Sequence, residues 1–230
     1  MTMTNVVPRG DTVLRSVLHL ADLAPNEGGY QWRLTDGAAH LHVDVPDSPP
    51  KVLRGVGAVL HHLRIALAAA GWGALIGRGT TPSDPTHIAT IRAVRQQPTT
   101  EQVAMAAAIS VRAGEHGDYS DTAVPWTVLN RLAAQARGEG AQLDVVLHHE
   151  TRSRLLRRTK SLENAGVVVV IGGRAGEEIA AGAALSAVLL MGTVWGLLGC
   201  QLPVRPLVAR QVTGPDLVPQ VVLRLGYPRT

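Results

Sequence analysis

The side chains best suited to chemistry in this 230-residue chain come in pairs and clusters. His61 and His62 are adjacent within an apolar helical stretch. Neighbouring helical positions point about 100° apart. One of the two is therefore expected at an interface and the other facing solvent, rather than both on one metal. His148 and His149 end a strand, where successive side chains take opposite faces. No helical histidine stands four residues from a carboxylate, so no metal centre is expected. Cys200 is the sole cysteine. With no neighbouring base it reads as a buried, inert thiol, and nothing implies a disulfide. The run 172–176 is glycine-rich but lacks the lysine and hydroxyl residue of a phosphate loop. Arg152, Arg154, Arg157 and Arg158 form a basic cluster without interleaved aromatic residues. That pattern reads as a solvated helix face rather than a nucleic-acid surface. No Ser-His-Asp set is present, and the catalytic residues stay unassigned.

Periodicity supplies the elements that would position these groups. Apolar spacing predicts helices over 13–23, 52–70, 99–109, 126–137, 151–162 and 180–198. Alternation predicts strands over 30–35, 39–45, 74–77, 87–94 and 143–147, with Asp36-Gly37 as a hairpin turn. Four consecutive valines in 166–172 fit a strand buried on both faces, and 221–225 closes the chain as a strand. Residues 1–10 read as a loose leader, broken by Pro8 and Gly10.

Two stretches repeat. Gly57, Leu60 and Gly71 match Gly182, Leu185 and Gly196 at one offset of 125 positions, and Thr12-Val13-Leu14 matches Thr127-Val128-Leu129 at 115. The chain therefore reads as one domain, 11–230, made of two related halves of about 11–110 and 111–230, with any ligand between them. The long helices 52–70 and 180–198 are expected side by side at the centre of an α+β fold.

Composition sets the outer bounds. At 46% hydrophobic and 17% charged the chain is that of a globular protein. Phenylalanine is absent, so the core is built from Ala, Val, Leu and Ile. The stretch 180–198 reaches the length of a membrane span, but Glu177 and Glu178 precede it and 57–72 resembles it. It reads as a buried core helix. No charged-then-apolar leader is visible, and a cytoplasmic location is expected.

The residues 182–198, then Cys200-Gln201-Leu202-Pro203, then the closing Pro219-Gln220-Val221-Val222-Leu223-Arg224-Leu225-Gly226-Tyr227-Pro228, resemble the carboxyl-terminal half of the flavin nitroreductase fold. The segment 60–72, Leu-His-His-Leu-Arg-Ile-Ala-Leu-Ala-Ala-Ala-Gly-Trp, is similar to the actinobacterial Acg-type nitroreductase-like proteins, in which two such halves are fused. The resemblance implies a mixed, mostly antiparallel sheet around central helices, with FMN bound between the halves. It implies electron transfer from NAD(P)H to a nitroaromatic or quinone-like acceptor, and either a homodimer or an unknown protein partner. It assigns Asn26 and Gln31 to the flavin ring and Ser186 to a small polar position of the last long helix. Pro203, Val204 and Arg205 fall in the loop facing the reactive edge, and Arg112, Arg205 and Arg229 are the phosphate candidates. The arginine-rich phosphate turn of the family falls at 112–119, where only Arg112 remains and Glu115 and Asp118 would repel a phosphate. The resemblance therefore leaves two outcomes open: an FMN-dependent oxidoreductase, or a shortened, degenerate member serving as a flavin-binding, storage, scaffold or partner-binding protein.

Overall fold

A computed structural model describes residues 10–79, 83–113, 118–156 and 165–229. The expected leader lies almost wholly outside them, as do Glu115 and much of the arginine cluster. In chain order the elements are α1 (Gly10–Ala21), β1 (Tyr30–Thr35), β2 (Ala38–Val43), α2 (Pro50–Ala69), β3 (Trp72–Arg78), β4 (His87–Arg95), α3 (Thr100–Ala113), α4 (Trp126–Gly138), β5 (Gln142–Val145), α5 (His149–Leu156), β6 (Val167–Gly173), α6 (Glu178–Val194), β7 (Leu198–Leu202), α7 (Pro206–Ala209) and β8 (Val218–Gly226).

The expected single sheet is two. The first runs β1-β2-β4-β3 and the second β5-β6-β8-β7, with every registered pair antiparallel. The same order recurs because the same sequence of elements recurs: a helix, two strands, a long helix, two strands. β1 and β2 are joined by Asp36 and Gly37, both at positive φ, which is the backbone a two-residue hairpin turn needs. The helix foreseen over 180–198 stops at Val194, because Gly196 takes a positive φ and Leu198–Leu202 leaves as β7. α7 is a single short turn with no periodic signal.

α2 and α6 pack side by side between the sheets. Their closest approach is at Gly57 and Gly182. A methyl group on Gly57 would overlap the Ile179 carbonyl, and one on Gly182 would overlap the Arg54 carbonyl. Both pairs keep the offset of 125, so the contact is reciprocal, as a two-fold axis requires. α1 packs on α2, α4 on α6, and α3 on both. Among the described residues α2 alone is long and apolar enough to cross a membrane, yet 78% of its apolar window is buried inside the protein.

The two sheets differ on their outer faces. That of the second carries Val168, Val170 and Val222, packed with Leu155, Val208 and Ala209 of α5 and α7. That of the first carries Arg33, His40, His42 and Thr90 around an open depression.

Candidate functional site: the seam and cleft between the halves

At the seam α2 brings two imidazoles to one hydroxyl. His61 Nδ1 is 2.6 Å and His62 Nδ1 2.7 Å from Ser186 Oγ. This overturns the expectation that one ring would face solvent: His61 is 2% exposed, His62 and Ser186 0%. The helix does point the two rings apart, but Ser186 sits in the gap between them on the facing helix. One set of hydrogens satisfies the contacts. His62 Nδ1–H donates to Ser186, whose hydroxyl donates to His61 Nδ1, leaving the His61 Nε2–H 3.9 Å from Glu139. The His62 Nε2 then holds a buried lone pair without a partner. Burial, seconded by Arg64, pushes His61 down to about 3, and burial, seconded by His61 and Arg112, does the same to His62. Arg64 closes the seam from the rim with a two-pronged contact to Glu139, 2.9 and 2.8 Å.

Beside this seam lies a cleft of about 160 Å³ shared by the halves. Pro25, Asn26 and Glu27 come from the loop after α1, Lys51, Arg54 and Gly55 from the start of α2, Leu185 from α6 and Gln201 from β7. Asn26 shapes the loop: its amide donates to the Ala24 carbonyl at 2.8 Å and accepts from the Gly28 N–H at 2.9 Å. Lys51 pairs with Glu27 at 2.6 Å, and Arg54 donates to Gln220 at 3.2 Å. Burial lowers the Arg54 guanidinium against the opposing pull of Glu178 and Glu27. Behind the loop, Asp22 accepts from both the Tyr30 hydroxyl, 2.9 Å, and the Trp32 indole, 3.2 Å. Trp32 is thus a loop brace.

The other sequence candidates scatter. Gln31 is exposed on the outer face of β1, paired across from His42, away from the cleft. Ser186 is sealed in the seam and offers no surface to a ligand. Pro203 is exposed, Val204 packs under the second sheet, and the Arg205 carbonyl receives the first turn of α7. The Arg229 amide donates to the Asp118 carbonyl at 2.8 Å, which ties the carboxyl-terminal end to the segment after α3, where Arg112 occupies the last turn. Cys200 is exposed, contrary to the buried thiol expected, because β7 turns it outward from the core.

Lys51, Arg54 and Gln201 escaped the sequence reading. A signal was present. Cations near a helix start oppose its dipole, and α2 opens with Lys51 and no acid in its first turn. At the pseudo-equivalent place in the second half Ile179 and Ala180 replace Arg54 and Gly55, and Gly140 packs near Ala180. The polar set therefore belongs to one cleft of the pair.

The two repeated units meet at a shared helical seam. The structure matches a provisionally named nitroreductase from Anabaena variabilis with a TM-score of 0.62, over 94% of this chain and 73% of that one, at 9% identity. In sequence the chain is 33% identical over 151 residues to a Mycobacterium tuberculosis H37Rv protein provisionally named NAD(P)H nitroreductase Rv3131, covering 61% of this chain and 44% of that protein. It is 37% identical over 89 residues to the one provisionally named NAD(P)H nitroreductase acg, covering 34% and 27%. No family model matches. The fold is that of the nitroreductases; in sequence the chain is similar to part of the Acg-type nitroreductase-like proteins, and it spans less than half the length of these curated relatives.

Proposed function

We propose that the protein is a cytoplasmic nitroreductase-type oxidoreductase that uses FMN, taken up at the cleft between the halves, to pass electrons from NAD(P)H to a nitroaromatic or quinone-like acceptor. The observation that carries this reading is the cleft itself. It joins the loop of Asn26 from one half to Gln201 from the other and places two cations, Lys51 and Arg54, beside them. Cations beside amides suit a phosphorylated, amide-rich ligand. The donors fit the phosphate end of FMN. In this reading Lys51 and Arg54 receive the phosphate, while Asn26 borders the ring. When bound, FMN supplies the two-electron chemistry. The chain's own part is to orient it and exclude water.

A cleft of about 160 Å³ is small beside ordinary cofactor sites of roughly 300 Å³ or more, and Glu27 already neutralises Lys51. Both facts favour weak holding, and they support the second reading, a non-catalytic member that binds flavin or a partner without turnover. FMN titration followed by fluorescence quenching separates the two. The enzyme reading expects saturable, stoichiometric binding that Arg54→Gln weakens about tenfold, together with NAD(P)H oxidation in the presence of a quinone. Absence of binding at high FMN overturns it.

A further inference from the structure

β2 sends Ala39, Leu41 and Val43 into the core and His40 and His42 to the outer face. The corresponding strand β6 sends Val168 and Val170 to its outer face, beneath α5 and α7. A surface that is apolar and covered in one half is thus polar and open in the other. It forms a depression of about 420 Å³, whose charged and titratable lining is Arg33 from β1, His40 and His42 from β2, His87 from β4 and Asp84 from the preceding loop. The ring of His87 is 5.6 Å from that of His40 and 5.1 Å from that of His42.

The hydrogen-bond chain across this face has a direction. His87 Nδ1 lies 3.2 Å from the Gly79 carbonyl, which only accepts, so Nδ1 carries the hydrogen. His87 Nε2 lies 3.0 Å from Thr90 Oγ1, which lies 3.2 Å from His40 Nδ1. With all rings neutral, Thr90 donates to His87 and accepts from His40 Nδ1–H. His40 Nε2 is then a bare lone pair, and it is buried without a partner. One added proton changes this. Placed on His40, it sits on Nε2 directly. Placed on His87, it reverses the Thr90 hydroxyl and shifts the His40 hydrogen to Nε2. Either way Nε2 becomes a donor that needs an acceptor, on a face that also carries the Arg33 guanidinium.

We propose that this depression binds a small oxyanion of the sulfate or phosphate type together with a proton. Arg33 offers the anion a planar fork, and a turn of the His40 ring that uncovers its buried Nε2 lets the anion supply the acceptor that protonated His40 lacks. Without an anion, His42 is held below its ordinary value by burial first and Arg33 second. Asp84, 3.6 Å from His42 Nδ1, has the opposite effect on each partner, favouring the imidazolium and repelling the anion.

Sulfate is the probe, since its charge is constant across the range tested. Calorimetric titration of the full chain is expected to show sulfate binding about tenfold tighter near pH 5.5 than near pH 8, with heats that vary with buffer ionisation as protons are taken up. Arg33→Gln and His40→Gln should each weaken binding about tenfold near pH 5.5 while leaving the melting temperature close to that of the parent. Asp84→Asn should tighten it near pH 8, where the carboxylate repels the anion and the rings are neutral. Sulfate binding that is absent, independent of pH, or unchanged in R33Q and H40Q overturns the proposal. So does weaker binding near pH 8 in D84N.

Discussion

His61 and His62 remain neutral because burial between α2 and α6 removes the water that would solvate a charge. The consequence for stability has a definite sign. Both folded values, about 3, lie below the ordinary 6.5, so between those limits the unfolded chain binds more protons than the folded one. Stability is complete above about pH 6.5 and falls as pH falls toward 3. Two such groups give a slope of roughly 3 kcal/mol per pH unit, or about 4 kcal/mol lost by pH 5. Denaturant melts at a series of pH values measure it. His61→Gln should roughly halve the slope, and an unchanged slope would show that other groups carry the acid response. Ser186→Ala removes the shared partner and should cost about 1–3 kcal/mol at neutral pH, read as a lower denaturant midpoint.

At the scale of elements, the α2–α6 seam is set by two glycines. Gly57 and Gly182 bring main chain against main chain, so each tolerates no side chain at all. Gly57→Ala, which in an ordinary helix interior would gain about 0.5–1 kcal/mol, should here cost about 1–3 kcal/mol through overpacking. Gly138→Ala, at the end of α4 where an added methyl meets nothing within 4 Å, is the matched control and should be neutral or stabilising. Thermal melts of the two variants check the contrast, and equal shifts would mean that the seam can open without cost. These glycines were readable in the sequence because their spacing repeats at one offset. The hairpin was readable because Asp36-Gly37 encodes its own turn. β7 was not, since Leu198–Leu202 continues the apolar run of α6 and only the positive φ of Gly196 separates them. The cleft was half legible. Asn26 announced itself by loop chemistry. Lys51, Arg54 and Gln201 meet only through the packing of α2 on β7 and α6, which no local pattern records. Ser186 and Gln31 were misplaced for the same reason: a polar residue in an apolar helix or on a strand says nothing about which neighbour it will meet.

On the scale of the whole molecule, the halves repeat a fold around one main core that they share, with a smaller apolar cluster under α5 and α7 in the second half. One apolar cluster holds Leu14, Leu41 and Ile91 from the first half together with Ile171, Leu185 and Leu223 from the second, and α2 and α6 are its common centre. Separating the halves would expose the long apolar faces of both helices, and uncovered apolar area costs about 25 cal/mol per Å². The link 96–99, between β4 and α3, is exposed on every residue, so the chain can be divided there without touching the seam. The full chain should unfold in one transition, with fluorescence and circular dichroism coinciding. Fragments 10–97 and 98–230, expressed singly, should show no cooperative melt and should bind a dye for exposed apolar surface. Expressed together they should associate and recover the melt, because the contacts that matter run across the seam and not through the link. A single fragment with its own sharp transition would mean that each sheet and helix pair is self-sufficient. The cleft would then be a surface between two domains, free to widen, and its small volume would place no limit on how firmly a flavin is held.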